Sequence, residues 1–521
     1  MIIQNNTQII QQGPLHDKEG HLKKIAKESG IGVIGSLVGT TFSYFITLLG
    51  ARYFGANDFG VFVLARTICD VAVMFSSAGM PKALDLYVPQ FVAHGQLGKV
   101  RRLIRVLLLY SLTIGVTISV IVFLIANFFV KGKLGIVLKV MAITVPPTVA
   151  IEVLSYVFSG LKELRYEVIV KRIIIPIVFV ALAVMVALEH LGLVAWAWAL
   201  TVSIFAGLTS AVYFFQRKVW PWLKDVPVEG IATSKVVAYF LPLGVSGLIL
   251  FFLAQINILS LGYYSAPKDV AIFSIYLSLL GFLSMIRTSV GRIYKPILAG
   301  MHLSESEPAT MQHKSIYSQV SNWILQVNLL GVMLILLYGN DFLRLLVGSE
   351  YVINPLAFQI LTISALIDYA SGPCFETLEA MGNSRTILLF SFAMLLLSLM
   401  LNTLLIPKYG ILGAAIAYFI VFTFANILGI TAVRRKYNLI PFDRKYTKLL
   451  FLFMTLTLAM WWMKINFLIQ IVWVNVPILG LLYLLGLTLL KVHDESDREI
   501  LRIILNRVGI NKIFVNSQKL L

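Results

Sequence analysis

The chain has 521 residues, 59% of them hydrophobic and only 13% charged, with a formal net charge of +18 and a mean hydropathy of +0.87. Soluble proteins carry about 25% charged residues, and no hydrophilic stretch here is long enough for a separate soluble domain of about 50 residues. Any chemistry must therefore take place within or beside a membrane.

The first 30 or so residues are polar and lack a short apolar core followed by a small-residue cleavage site. We read no cleaved signal peptide there and take the first span as an uncleaved anchor. Apolar blocks of about 18–25 residues, long enough to cross a bilayer as helices, follow at roughly 31–51, 60–79, 104–130, 134–158, 172–190, 193–215 and 236–262. They continue at roughly 269–298, 319–347, 352–380, 385–406, 411–433, 447–469 and 471–490. The expected fold class is an all-α polytopic membrane protein with about 14 transmembrane helices. After the last span, Ser496 and Glu499 followed by Ile500, Leu501, Ile504, Leu505 and Val508 read as a capped amphipathic helix lying on the inner leaflet.

The cations give the orientation. With the N-terminus inside, most of the 43 Lys and Arg residues fall on the cytoplasmic side, in clusters at Lys23–Lys27, Lys99–Arg105, Lys162–Arg172, Arg217–Lys224 and Arg434–Lys448. Only scattered ones, such as Arg52, Lys131, Lys268 and Lys464, remain opposite. This bias predicts a multi-pass protein of the cell (cytoplasmic) membrane with both termini cytoplasmic. Topology and attraction to anionic lipid heads account for the positive charge, so nucleic acid is not a required partner.

The chain also repeats itself. Leu49-Gly-Ala-Arg-Tyr-Phe-Gly-Ala-Asn-Asp-Phe-Gly-Val-Phe62 returns about 211 residues later as Leu261-Gly-Tyr-Tyr-Ser-Ala-Pro-Lys-Asp-Val-Ala-Ile-Phe273. Each copy lies between two apolar runs, as a tight turn would. Weaker echoes link Phe158–Arg165 with Leu378–Arg385, and Gly192–Ala199 with Gly410–Ala417, at about 218–220 residues. The order and near-constant spacing suggest two pseudo-symmetric six-helix lobes. The expected division is a cytoplasmic tail at 1–28, an N-lobe at 29–220, a C-lobe at 221–446, two extra spans at 447–490 and a cytoplasmic tail at 491–521.

Ionisable residues inside spans cost about 2.5–3.5 kcal/mol each at mid-helix, so they usually face a cavity or a partner. Arg66 and Asp70, four apart in the second span, either form a structural ion pair or place Arg66 where an anionic head group displaces the carboxylate. Arg287 lies deep in the eighth span with no acidic residue within four positions, which favours a cavity role. Arg292 and Lys295 follow it, the latter a snorkelling interface residue, and Arg52 is a cavity cation or an interface anchor. Guanidinium suits phosphate because its planar fork holds two oxygens at once. Arg66, Arg287, Arg52 and Arg292 are therefore the candidate cations for a diphosphate. The candidate charge partners or proton carriers are Asp70, Glu152 and Asp368, with Glu376 and Glu379 further along the tenth span.

Catalytic patterns are missing. The seven His lie mostly in tails and loops, no His/Asp/Glu group has metal-ligand spacing, and no Gly-rich phosphate loop with Lys-Ser/Thr occurs. Cys69 and Cys374 read as buried inert thiols. We assign no catalytic residue, metal or cofactor, and expect a protein that is not an enzyme.

The layout resembles the polysaccharide transporter (oligosaccharide flippase) family of the multidrug/oligosaccharidyl-lipid/polysaccharide (MOP) exporter superfamily. The resemblance rests on Ser43–Phe62, Ser77-Ala-Gly-Met-Pro81, Gly382-Asn-Ser-Arg385 and Ile406–Ala417, and covers roughly 25–490. It implies a V-shaped, two-lobed bundle like that of the multidrug and toxin extruders (MATE), rocking between inward and outward openings. It also implies transport of a lipid-linked, polyprenyl-diphosphate oligosaccharide between leaflets for cell-surface glycan assembly. Membrane lipids are expected partners, with glycosyltransferases or polymerases of the same pathway as candidate protein partners. Arg66 and Arg287 occupy spans in which such relatives place cavity cations. A cation-coupled small-molecule or multidrug exporter on the same scaffold is the alternative, whose cleft should favour acids and aromatics. A membrane sugar polymerase or ligase is a third reading, expected to carry a sizeable outer loop, whereas the outer loops here are short.

Overall fold

The computed structural model describes residues 18–77, 82–230, 233–302, 307–466, 472–490 and 492. The expected amphipathic helix near the C-terminus lies outside them. In chain order the helices are α1 (Lys18–Ser77), α2 (Lys82–Ala93), α3 (Leu97–Phe128), α4 (Gly132–Ala142), α5 (Val145–Gly160), α6 (Leu164–Leu188) and α7 (Leu193–Leu223). They continue with α8 (Thr233–Tyr264), α9 (Pro267–His302), α10 (Glu307–Leu346), α11 (Pro355–Ala370), α12 (Cys374–Ala380), α13 (Ser384–Tyr437), α14 (Arg444–Asn466) and α15 (Val472–Leu489). No strand occurs among the described residues. Among the described residues, nine helices are long and apolar enough to cross a membrane, or ten when a bent pair counts as one span. Where the described residues cover them, the expected spans lie mainly on helix, with the one at 352–380 interrupted at 371–373, and α1 already begins at Lys18, within the stretch read as a polar tail.

Helix length explains the joints. Sixty residues of unbroken helix would measure about 90 Å, three times a hydrocarbon core of about 30 Å. The chain divides α1 at one residue, Gly55, with φ 72° and ψ 172°, a region essentially closed to side-chain-bearing residues. The tight turn expected at Leu49–Phe62 is thus a single-residue joint. A second one divides α13 at Gly410, three residues after Pro407.

Proline sets the other breaks. Pro146 and Pro147 open α5, where their missing N–H groups cost nothing, and α4 and α5 meet at 42°. Between α11 and α12, Gly372 (φ 68°) and Pro373 interrupt what would otherwise be one span.

The described helices gather into two compact units, each assembled from separated stretches. One holds the chain up to Leu279 with Arg344–Phe358 and Leu388–Val421; the other holds Leu280–Leu343, Gln359–Ile387 and the chain from Phe422 onward. In the first unit Trp196 is fully buried, with Phe54, Phe62 and Phe179 meeting it edge-on at ring-centre distances of 5.2, 6.4 and 5.5 Å. A Cβ on Gly50 would sit 2.9 Å from that indole, and one on Gly60 would collide with the Pro267 carbonyl. Without a hydrophobic drive inside lipid, such close approach at small residues is a main source of helix cohesion. The Tyr351 hydroxyl donates to the Ala51 carbonyl at 3.0 Å. Burial raises its pKa above the ordinary tyrosine value, so it remains a donor.

Replacing Gly55 by alanine is expected to cost about 1–3 kcal/mol from the backbone region alone, before the clash with the Glu350 carboxylate 3.0 Å away. Thermal unfolding of purified protein should show a lowered midpoint for Gly55→Ala. It should show little change for Gly480→Ala, where nothing lies within 4 Å of a new Cβ.

Candidate functional site

The second unit holds a buried arginine between two carboxylates. Arg287, on α9, has a side chain only 10% exposed. One of its terminal nitrogens pairs with the Asp368 carboxylate, and the other reaches Glu376 Oε2 at 3.3 Å. The nitrogen facing Asp368 also lies 3.5 Å from that residue's backbone carbonyl. Eight residues separate the two acids, which on an unbroken helix would place them about 12 Å apart along the axis. The interruption at Gly372-Pro373 brings both to the same guanidinium. Asp368 ends the first piece of the broken span and Glu376 begins the second.

Such a break frees carbonyls that lipid cannot satisfy, so protein groups must do it. The Tyr446 hydroxyl donates to the Ala370 carbonyl and the Cys374 thiol to the Ser371 carbonyl at 2.8 Å, while the Thr377 hydroxyl adds a bond at 2.7 Å to the Pro373 carbonyl, which already accepts from the Thr377 N–H. Tyr294 bonds Thr377 at 3.0 Å, and Tyr317 bonds Cys374 at 3.3 Å. Cys374 is thus a buried thiol, as expected, with a bracing role at the break. Lys295, the residue after Tyr294, pairs with Glu379.

With both acids ionised, this cluster carries a net single negative charge.

The other candidates are also partnered. Arg66 and Asp70 lie 3.7 Å apart with both side chains about half exposed. Glu152 pairs with Lys171 at 2.9 Å, and Lys171 also approaches Glu167 at 3.8 Å, which makes a second cation flanked by two acids. Lys171 sits in a π-helical turn, Ile169–Ile174, of a kind common at functional sites. The exposed Arg52 donates to the Leu345 carbonyl at 2.5 Å. The side chain of Arg292 lies outside the described residues. No group of three or more His, Cys, Asp or Glu suited to a metal occurs among the described residues.

The sequence reading missed Glu376 as the second partner of Arg287, although the Gly-Pro pair between the two acids signals a break. Lys171 was assigned to a solvated cytoplasmic cluster. Its i,i+4 spacing from Glu167 was the available clue.

Comparison with known proteins places this arrangement. A family model described as polysaccharide biosynthesis protein matches residues 25–302, more than half of the chain. The chain belongs to that family. A curated relative, an uncharacterized membrane protein of Methanocaldococcus jannaschii, is 23% identical over 415 residues, covering 73% of this chain and 79% of the relative. Among solved structures, the inward-facing conformation of a multidrug resistance MATE family transporter of the MOP superfamily aligns with a TM-score of 0.63 at 13% identity. It covers 78% of this chain and 98% of that one. The inward closed conformation of the lipid II flippase MurJ aligns with a TM-score of 0.60, also at 13% identity, over 88% of this chain and 98% of that one. This polysaccharide biosynthesis family member therefore has the fold of the MOP superfamily, a multi-pass helical membrane protein.

Removing one member of a buried ion cluster leaves an uncompensated charge at about 3–5 kcal/mol. Arg287→Ala strands two carboxylates, whereas Asp368→Asn leaves Glu376 to neutralise the guanidinium. Melting of the two purified variants should show a much larger loss for Arg287→Ala. Equal losses would mean that Glu376 does not share the cation.

Proposed function

We propose that this protein is a flippase that carries a lipid-linked, polyprenyl-diphosphate oligosaccharide from the inner to the outer leaflet by alternating access. The observation that carries this reading is the union of polysaccharide biosynthesis family membership with a fold shared by a lipid II flippase along 88% of the chain. A sugar chain cannot cross hydrocarbon unaided, because each hydroxyl would lose its water without replacement. A moving helical bundle supplies polar surroundings without breaking any bond, so the reading requires no catalytic group. The six-span lobes at 29–220 and 221–446 are the moving parts, both termini are cytoplasmic, and spans 13 and 14 stand outside the duplication.

In this reading Arg287 holds the diphosphate by exchange. Asp368 and Glu376 keep the guanidinium neutralised while the site is empty, and a phosphate oxygen replaces one of them. Asp368 is the candidate coupling group in this exchange, since it is the acid paired with the guanidinium when the site is empty. Arg66 plays the corresponding part with Asp70, Arg52 and Arg292 supply further cations along the route, and Glu152 is a second candidate proton carrier. The excess of acid over base around Arg287 also supports a second reading, a cation-coupled exporter of small molecules, since a net negative site attracts cations.

Proteoliposomes containing a lipid-diphosphate oligosaccharide separate the two readings. The native protein should render the sugar accessible to an external cleaving enzyme. Arg287→Lys keeps the charge but loses the fork; losing one charge-assisted hydrogen bond of about 1.5–3 kcal/mol should slow transport roughly 10–100-fold. No movement of any such lipid, alongside proton- or sodium-driven export of a small cation, would sink the flippase and favour the exporter.

A further inference from the structure

A groove of about 1030 Å³ runs between α3, the α4–α5 bend and α7 in the first unit. That is at the upper end of ordinary small-molecule pockets, about 300–1,000 Å³. Its walls are apolar, with Leu108 and Leu112 of α3, Pro146 and Ala150 of α5, and Phe205 and Leu208 of α7 among them. Along α3 it extends from Ile104 to Ser119, about 22 Å at 1.5 Å per residue. At the Ser119 end the hydroxyl is already committed, donating to the Ala142 carbonyl at 2.7 Å.

The Ile104 end has a different chemistry. Gln216 and Trp220 line it, within and just after a π-helical turn, Phe215–Val219. That turn leaves Gln216, Arg217 and Lys218 exposed in succession. Arg105, the residue after Ile104, is exposed too. Arg101 is occupied, donating to the Lys224 and Val226 carbonyls at 3.0 and 2.6 Å with its guanidinium 5.4 Å from the Trp220 ring. It braces the rim; Arg105 and Arg217 directly follow the lining residues Ile104 and Gln216, Lys218 comes next, and Arg217 also donates to the Tyr213 hydroxyl. Tryptophan at such a boundary is characteristic of the lipid–water interface.

We propose that this groove is a binding site for one anionic phospholipid, with acyl chain in the apolar trough and phosphate at Arg105, Arg217 and Lys218. Within a bilayer an apolar trough has no hydrophobic preference for one lipid over another, since all tails are equally apolar. Selection therefore comes from the charged end, where basic pockets between membrane helices attract anionic heads. A trough without a free polar group at the Ser119 end and with exposed cations near the other matches a molecule with one charged end. The proposal is independent of what the protein transports.

Native mass spectrometry of the full-length protein, released from vesicles of equal phosphatidylglycerol and phosphatidylcholine, tests it. The native protein should retain one phosphatidylglycerol in preference to phosphatidylcholine. The surface pair Arg105→Gln with Arg217→Gln should reduce that retention about tenfold, and Leu112→Trp, which fills the trough, should reduce it without altering the rim. Unchanged retention in the rim variant would overturn the site. Loss in the rim variant but not in Leu112→Trp would overturn the seat of the chain in the groove. Displacement of the retained lipid, one for one, by an added polyprenyl diphosphate would reassign the groove to a transported lipid's tail.

Discussion

The constraint on which the second unit depends is that lipid offers nothing to a bare carbonyl or a lone charge. Breaking the span at Gly372-Pro373 exposes backbone groups that must be satisfied from within the protein, and Tyr446 and Cys374 do so. The same break turns Asp368 and Glu376 onto one guanidinium. Backbone satisfaction and charge neutralisation are therefore one arrangement: without the brace the two acids would drift apart, and without Arg287 they would repel. A buried ion cluster of this kind gives little net stability compared with well-packed apolar residues.

The two cation-and-two-acid clusters, at Arg287 and at Lys171, arise by different routes. Arg287 gathers acids from both sides of a break in a neighbouring span. Lys171 takes one acid, Glu167, from its own helix and one, Glu152, from the adjacent helix. The π-helical turn that holds Lys171 widens the helix locally. This is a second way of bringing an ionisable side chain toward a partner where a regular helix leaves no room.

Much of the fold was legible because membrane helices announce themselves through length and apolarity. The turn at Leu49–Phe62 was legible because that stretch lies between two apolar runs and returns about 211 residues later. The ion pairing was less so. Arg66 and Asp70 are one helical turn apart, so the pair follows from spacing alone. Arg287 and its acids are more than 80 residues apart, and only their positions in three dimensions join them. The apparent isolation of Arg287 in the sequence reflected this distance along the chain. Asp368 was recognised as either a proton carrier or a partner, but which base it meets depends on how the helices pack, and periodicity carries no information about that. The tyrosine brace was similarly invisible, since a hydroxyl in an apolar run reads as core until a carbonyl without a helical partner is placed beside it.

The single-residue joints at Gly55 and Gly410 have a mechanical consequence. A connecting loop of several residues lets neighbouring spans tilt separately, as slack rope does. One glycine leaves no slack, so a rotation imposed on one arm of α1 or α13 passes to the other arm at almost full amplitude. Each of these hairpins then behaves as a stiff folded lever, and bending has to be taken up elsewhere, at the proline-broken spans.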